Sequence, residues 1–331
     1  MASRKSLVTG ATGFIGSHLV EALVAEGNEV RCLVRNESSH RWIQGLNVEI
    51  VQGDCQDFRS LTSAVNGVEQ VYHVAGITKA TDHHAFYQVN AEGTENLVRA
   101  CAERNPGLKR FVYLSSQAAV GPCKGDGLST ETDPCLPVSH YGWSKRRGEE
   151  AVLKFRDLLN VVILRACAVY GPRDQDFLPF FRSIGMGVQI GLWRMEHRLS
   201  LCYVNDLVSA FIVAGRKDLP SGEIFFVSDG NTYAWHDLGS AIEEALGVRA
   251  IRVKVPVSVF RWSAEIADWI SRRSGRPRVF GKERYQEMVQ PNWCCDSSKA
   301  MSELDLSAAF DLKRGIASTV EWYRAEGWLK S

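Results

Sequence analysis

The first half of the chain alternates short apolar runs with segments in which apolar residues return every three or four positions. Those two periods mark buried strands and amphipathic helices. KSLVTG reads as a short buried strand entering a glycine turn, and Phe14 to Ala25 then repeats apolar residues at helical spacing. NEVRCLV, VEIVQGD and EQVYHVAG follow as the second to fourth strands, LKRFVYLSS as the fifth and NVVILRACAVYG as the sixth. Helical patterns, AEGTENLVRACAERN among them, fill the gaps. Strands alternating with helices predict an α/β fold, a doubly wound parallel sheet with both faces covered.

Beyond about residue 170 the rhythm changes. FLPFFRSIGMGVQIG, the segment around Trp262 and Trp269, and LKRGIASTVEWYRAEGWL read as helices of a smaller lobe. YVNDLVSAFIVAGR and EIFFVSD read as a helix and a strand returning to the main sheet. The expected division is a Rossmann domain over 1–170, with 201–230 returning to it, and a mostly helical substrate lobe over 171–200 and 231–331. No Ser/Gly/Pro-rich linker separates the two.

Composition narrows the classes. The chain has 331 residues, 45% hydrophobic, enough for a doubly wound domain and a second lobe. Its 39 basic and 38 acidic residues give a net charge of +1, which argues against a nucleic-acid surface. Nine cysteines, an odd number with no CxxC, argue against a disulfide framework or a structural zinc and for scattered thiols in a reducing cytoplasm. His83 and His84 are neighbours that should point apart on a helix, so no metal site is expected. No apolar signal region precedes the first strand, and no stretch reaches the length of a membrane span. The expected compartment is the cytoplasm.

TGATGFIG places Gly10, Gly13 and Gly16 at three-residue spacing between a strand and a helix. Gly10 allows the tight turn, Gly13 lets the backbone approach a pyrophosphate, and Gly16 lets the helix pack on the strand. The amides around Thr12, Gly13, Phe14 and Ile15 then face the anion at the helix N-terminus. The second strand ends LVRNESS, with Arg35 where an acid would bind the ribose hydroxyls of NAD and no acid until Glu37. An arginine there suits a 2′-phosphate, so NADP(H) is favoured, with NAD(H) as the alternative if Arg35 is only solvated.

These residues, together with YGWSK, resemble the extended short-chain dehydrogenase/reductase superfamily, of the NAD(P)-dependent epimerase/dehydratase type, over nearly the whole chain. The resemblance implies that Asp54, in VQGDCQD, bonds the adenine amine with Cys55 beside it. It implies that Val74, Ala75 and Gly76 of HVAG line the cofactor, and that Ala166 and Val169, around AVYGPRD, lie beside the nicotinamide. VNAEGTENL, with Asn90 and Thr94, matches the N-x-x-G-T helix, and YVNDLVSA matches the Y-V-x-D block. By spacing to Gly121, Ser116 falls at the family's catalytic serine and Ser115 becomes its cofactor-side neighbour. The catalytic set implied is Ser116, Tyr141, Lys145 and Asn90. Homodimerisation through the helices carrying Tyr141 and Asn90 is the matching expectation.

Tyr141 and Lys145 are four apart and share one helix face. A free tyrosine titrates near 10, too high for an efficient base at neutral pH. A nearby ammonium and an oxidised nicotinamide would both favour the phenolate. Lys145 would thus lower the tyrosine's proton affinity and hold the nicotinamide ribose together.

Three departures narrow the reaction. Gln117–Ala118 stands where dehydratases of this family carry an Asp–Glu pair. Ala168 stands where sugar-nucleotide enzymes commonly have Asn. Arg198 lies one position off the register of their diphosphate arginine, so a solvated side chain is an equal reading. The expectation is an NADP(H)-dependent oxidoreductase acting on a carbonyl or secondary alcohol of a small, apolar substrate, like the hydroxysteroid-dehydrogenase and dihydroflavonol-reductase branch. A nucleotide-sugar epimerase and a non-catalytic dinucleotide sensor are the alternatives. Phe177, Phe180, Phe181 and Trp193 could wall an apolar pocket, but helical spacing favours core. VFRWSAEIADWISRRSGR is amphipathic, with Trp262, Ile266, Trp269 and Ile270 on about one face. Packing of that face against the lobe is preferred over weak peripheral membrane contact.

Overall fold

The computed structural model describes residues 4–35, 39–192, 196–275 and 281–330, with only the backbone of Arg272. Glu37 and Trp193 lie outside the described residues. In chain order the elements are β1 Lys5–Thr9, α1 Phe14–Ala25, β2 Glu29–Val34, β3 Val48–Gln52, α2 Phe58–Ala64, β4 Gln70–His73 and α3 His83–Tyr87. A π-helical turn over Gln88–Glu92 leads into α4 Gly93–Arg104, β5 Arg110–Ser116, α5 His140–Leu153, β6 Val161–Ala166 and β7 Ala168–Tyr170. Then come α6 Leu178–Gly185, β8 Val188–Leu192, β9 Arg198–Leu199, β10 Leu201–Tyr203, α7 Val204–Arg216, β11 Glu223–Val227, β12 Tyr233–Ala234 and α8 Trp235–Leu246. The chain closes with β13 Ile251–Val255, α9 Val257–Ser274, α10 Lys282–Met288, β14 Asn292–Trp293, α11 Ser298–Glu303 and α12 Leu312–Ala325.

Seven parallel strands form one sheet in the order β3-β2-β1-β4-β5-β6-β11. The order reverses between β1 and β4, which opens a crevice at the carboxyl ends of the strands. Central strands are apolar on both faces because helices cover both: β4 and β6 are buried throughout. On one face Leu19, Val20 and Leu23 of α1 pack with Leu207 and Phe211 of α7. On the other, Leu61 of α2, Leu97 and Val98 of α4 and Val152 of α5 form a second core. A third core joins Phe177, Phe181, Leu238, Ile242, Ile316 and Tyr323, with Phe180 packed against it. The aromatic residues of α6 are therefore core, as their spacing favours.

Three differences from the sequence reading have local causes. The presumed sixth strand is two: Cys167 breaks it, β6 stays in the main sheet, and β7 pairs with β10. GVQIG is a strand, β8, held by β13 in a separate ribbon, so only the first half of that segment is helical. The preferred packing of the α9 apolar face is also corrected. Trp262, Ile266 and Trp269 are 67%, 56% and 61% exposed, because Ala264 and Ser271 take the inner side of the helix. All nine cysteines are free thiols. No described helix is long and apolar enough to cross a membrane.

Candidate active site

The glycine turn is built as its spacing predicts. Gly10 has φ +69°, and a Cβ there would lie 2.7 Å from the Ala75 amide nitrogen. A Cβ on Gly16 would lie 2.0 Å from the Gly10 carbonyl oxygen, so only glycine lets α1 close on the turn. Gly13 caps α1 without a side-chain partner and is exposed, with Thr12, Phe14 and Ile15 half-buried around it.

One hydrogen-bonded chain ties this turn to the end of β4. The Ala75 amide donates to Thr9 Oγ1 at 3.2 Å, and that hydroxyl meets His73 Nδ1 at 2.7 Å. On the far side His73 Nε2 meets Thr94 Oγ1 at 2.9 Å, and Thr94 donates onward to the Asn90 carbonyl. Thr94 spends its hydroxyl hydrogen on the Asn90 carbonyl, so it accepts from the imidazole, which donates from Nε2 and accepts at Nδ1. Burial pushes His73 down to about 3, which keeps it neutral.

Asn90 sits in the π-helical turn and is fully buried. Its Nδ2 donates to Ser144 Oγ at 2.9 Å and to the Ile77 carbonyl at 3.0 Å, while its Oδ1 accepts from the Ile77 amide. It clamps the segment after β4 to α5. Gly76 is exposed beside it: a Cβ there would lie 3.1 Å from Asn90 Oδ1 and 3.8 Å from Lys145 Nζ. Val74 and Ala75 are half-buried, Ala166 is buried and Val169 is half-buried.

Ser139 caps α5 by accepting from the Gly142 amide at 3.0 Å, which sets Tyr141 in the first turn and Lys145 one turn later. Ser116, at the end of β5, accepts from the Ala118 amide and lies close enough to Tyr141 to pull its proton affinity down. Burial is the larger effect and pushes the Tyr141 hydroxyl up to about 12. The Lys145 ammonium turns to the Leu114 carbonyl and stands 4.3 Å from the centre of the Tyr113 ring. Glu287 and Asp176 also raise the Tyr141 value, and Arg284 lowers it. Burial holds Lys145 itself down to about 7, against the pull of Glu149.

Ser115 and Ser116 point to opposite sides of β5, as alternation requires. The buried Ser115 hydroxyl donates to Glu149 Oε1 at 2.6 Å, so any approach of Ser115 to a cofactor is through its backbone. Glu149 also pairs with Arg165 and with Arg146. On the adenosine side Arg35 is exposed at the end of β2. Asp54 is half-buried, with Oδ1 accepting from the Gln56 amide at 2.9 Å. The Cys55 thiol is buried and pushed up to about 12, chiefly by desolvation. His83 and His84 differ from expectation. Their rings are 4.3 Å apart and, with Asp82, their ligand atoms lie within 4.8 Å of one another, all exposed. Arg198 is a surface side chain 3.8 Å from Asp126.

Sequence reasoning missed the partners contributed by α10. Glu287 accepts from Ser139 Oγ at 2.8 Å, and Glu283 accepts from the His140 amide at 2.7 Å. Two carboxylates thus sit at the positive end of the helix that carries Tyr141. It also missed Arg173, whose φ of +72° is rare for a residue with a side chain. Arg173 donates to Ser17 and Glu21 of α1, which ties the loop after β7 to the glycine-turn helix. Glu149 and Arg165 did leave a signal, since an arginine inside the apolar run VVILRACAVY demands a buried partner.

The residues fit a dinucleotide. The glycine turn is a cradle that a Cβ would fill, and a second small-residue floor at Gly76 adjoins the buried Lys145. Thr12 to Ile15 offer amides at a helix N-terminus.

Comparison with known proteins agrees. The model of the "NAD dependent epimerase/dehydratase family" matches residues 6–228. A ceramide reductase of Caulobacter vibrioides is 32% identical over 97% of this chain and 95% of that protein. The sterol demethylase protein B of Methylococcus capsulatus is 30% identical over 98% of this chain and 99% of that protein. The crystal structure of gox2253 superposes with a TM-score of 0.81 at 27% identity, covering 99% of this chain and 100% of that one.

Proposed function

This chain belongs to the NAD dependent epimerase/dehydratase family, and on that premise we propose that it interconverts a ketone and a secondary alcohol with NADP(H). The observation that carries the reading is the placement of Tyr141 beside Ser116, with Lys145 one turn below and next to Gly76. Thr12, Gly13, Phe14 and Ile15 would hold the pyrophosphate, Arg35 the 2′-phosphate, Asp54 the adenine, and Lys145 the nicotinamide ribose. Bound there, the cofactor supplies or accepts the hydride.

The chain's own residues manage the proton. Ser116 accepts from the Ala118 amide, which leaves its hydroxyl hydrogen to point at a substrate oxygen. Tyr141, protonated at neutral pH, then gives its hydrogen to that oxygen as negative charge builds there. The reverse reaction needs the phenolate, and Lys145 as a cation would favour it once the ammonium turns from Leu114 toward the ribose. Asn90 keeps the floor of the site rigid by locking Ile77 to Ser144.

An apolar substrate suits the residues that replace the usual acids. Gln117 and Ala118 are both buried and bring no carboxylate to expel water from a sugar. Similarity to a ceramide reductase supports a lipid-like ketone. The test is net oxidation of NADPH with a panel of long-chain keto-lipids and ketosteroids, run beside UDP-sugars. Turnover of a keto-lipid with NADPH preferred over NADH is expected. Cofactor retained through purification, with UDP-sugar epimerised and no net NADPH consumed, would overturn the reading.

A further inference from the structure

Helix α9 is inside out. Val259, Trp262, Ile266 and Trp269 recur at three- and four-residue spacing and form one stripe, with exposures from 55% to 67%. The opposite side carries small and polar residues around a single ring: Ala264 and Ser271 are buried, and Phe260, Ala267 and Asp268 are half-buried. A helix that only completed a core would turn the other way. The apolar surface continues into β13, which ends two residues before α9 begins. There Ile251 and Val253 are exposed, with Ile190 of β8 registered against Val253.

Charge says what covers this face. From Arg249 to Arg284 the sequence holds ten Lys or Arg against three Asp or Glu, in a chain whose net charge is only +1. Arg261 and Arg273 are exposed on α9 itself. Two copies of such a surface would set cation against cation in either orientation, which disfavours self-pairing. Tryptophans on an apolar stripe flanked by basic side chains match the boundary of an anionic bilayer.

We propose that the outer face of α9, continued by β13, docks this protein on an anionic lipid surface. Trp262, Ile266 and Trp269 enter the boundary between headgroups and acyl chains, and Arg261 and Arg273 of α9 hold the anionic headgroups. The face lies close to the chemistry. Phe260 of α9 meets Tyr285 of α10 with ring centres 6.3 Å apart, and Glu283 and Glu287 of α10 bind the first turn of α5 beside Tyr141. Docking would therefore bring a membrane within two helix layers of Tyr141. It does not depend on which substrate is turned over.

Flotation of the full chain with vesicles tests this, comparing pure phosphatidylcholine with a mixture containing about one-third phosphatidylglycerol. The parent should float with the anionic vesicles, less so as salt rises. Its tryptophan emission should shift to the blue. The triple variant Trp262→Ser/Ile266→Ser/Trp269→Ser should partition at least about tenfold less. Its NADPH binding and far-ultraviolet circular dichroism should be unchanged, since the side chains are exposed. Trp262→Ser alone should give an intermediate loss. A parent that stays with the lipid-free fraction overturns the proposal, as does a triple variant that floats equally. So does a parent that fails to float but whose dimer dissociates in the triple variant, because a second copy would then be the occupant. None of these readouts uses turnover, so failure here is distinct from failure of the ketone-reductase reading.

Discussion

Arg165 grips Glu149 with two parallel hydrogen bonds of 2.9 Å, Nε to Oε1 and Nη2 to Oε2, and the two side chains are 1% and 0% exposed. The pair joins β6 to α5 one turn beyond Lys145. Removing one partner strands a buried charge, which costs about 3–5 kcal/mol. Glu149→Ala should lose that much in urea unfolding, while Glu149→Leu/Arg165→Met should recover most of it. A single variant within about 0.5 kcal/mol of the parent would show that the pair is not buried in solution.

Tyr141→Phe removes the hydroxyl that passes the proton in the proposed reaction. We expect kcat to fall by roughly 10²–10⁴ while the NADPH dissociation constant stays within about twofold. Stopped-flow turnover and fluorescence titration read the two separately. Turnover near that of the parent would remove Tyr141 from the mechanism.

The charge of Lys145 should be visible in stability. Its folded value lies at about 7, below the ordinary 10.5. Between those values the unfolded chain holds the extra proton, so stability rises with pH across the window. Below it the lysine is charged in both states and the folded protein bears the whole desolvation cost. Without cofactor, Lys145→Met should therefore out-melt the parent most below pH 7, with an advantage of a few degrees that fades toward pH 10. A melting-temperature difference that is flat across that range would contradict the burial of the amine.

Gly16→Ala should be the most damaging change in the glycine turn. Its Cβ would fall 2.0 Å from the Gly10 carbonyl oxygen, and backbone cannot yield as a side chain can. A loss of about 1–3 kcal/mol is expected from overpacking, with NADPH affinity lowered at least about tenfold as the turn is displaced. At Gly13 the nearest atom would be 3.3 Å away, so Gly13→Ala should fold normally and weaken cofactor binding alone. Calorimetry with a binding titration separates the two.

Arg35→Asp addresses the choice of cofactor. If the guanidinium pairs with a 2′-phosphate, the variant should lose at least about tenfold in NADPH affinity and gain for NADH. An unchanged ratio of the two dissociation constants would assign Arg35 to solvent.

Much of this molecule is legible from residue order. Phe14–Ala25 is helical to the residue, because its apolar period and the glycines before it agree. β4 and β6 are readable because strands buried on both faces are continuously apolar. The shorter strands outside the main sheet are not. β9 and β14 are two residues long, and their pairing is decided by chain segments far away. The site splits the same way. Gly10, Gly16 and the Tyr141–Lys145 spacing follow from local geometry, and Asn90 from the resemblance to the N-x-x-G-T helix. The acids of α10 could not be found, since nothing in GKERYQEM says that Glu283 and Glu287 meet the start of α5. The direction of the Lys145 amine is hidden for a related reason: spacing puts it on the right face, but Leu114 and Tyr113 decide where its ammonium points.

The bonds from Glu283 and Glu287 to the first turn of α5 bear on recombination between relatives. A chimera crossing over after β6 keeps Tyr141 yet imports a foreign helix against the first turn of α5, so the hydrogen bonds that seat that turn travel with the borrowed half. An exchange of that half between relatives keeps the start of α5 seated only when those two carboxylates are carried along.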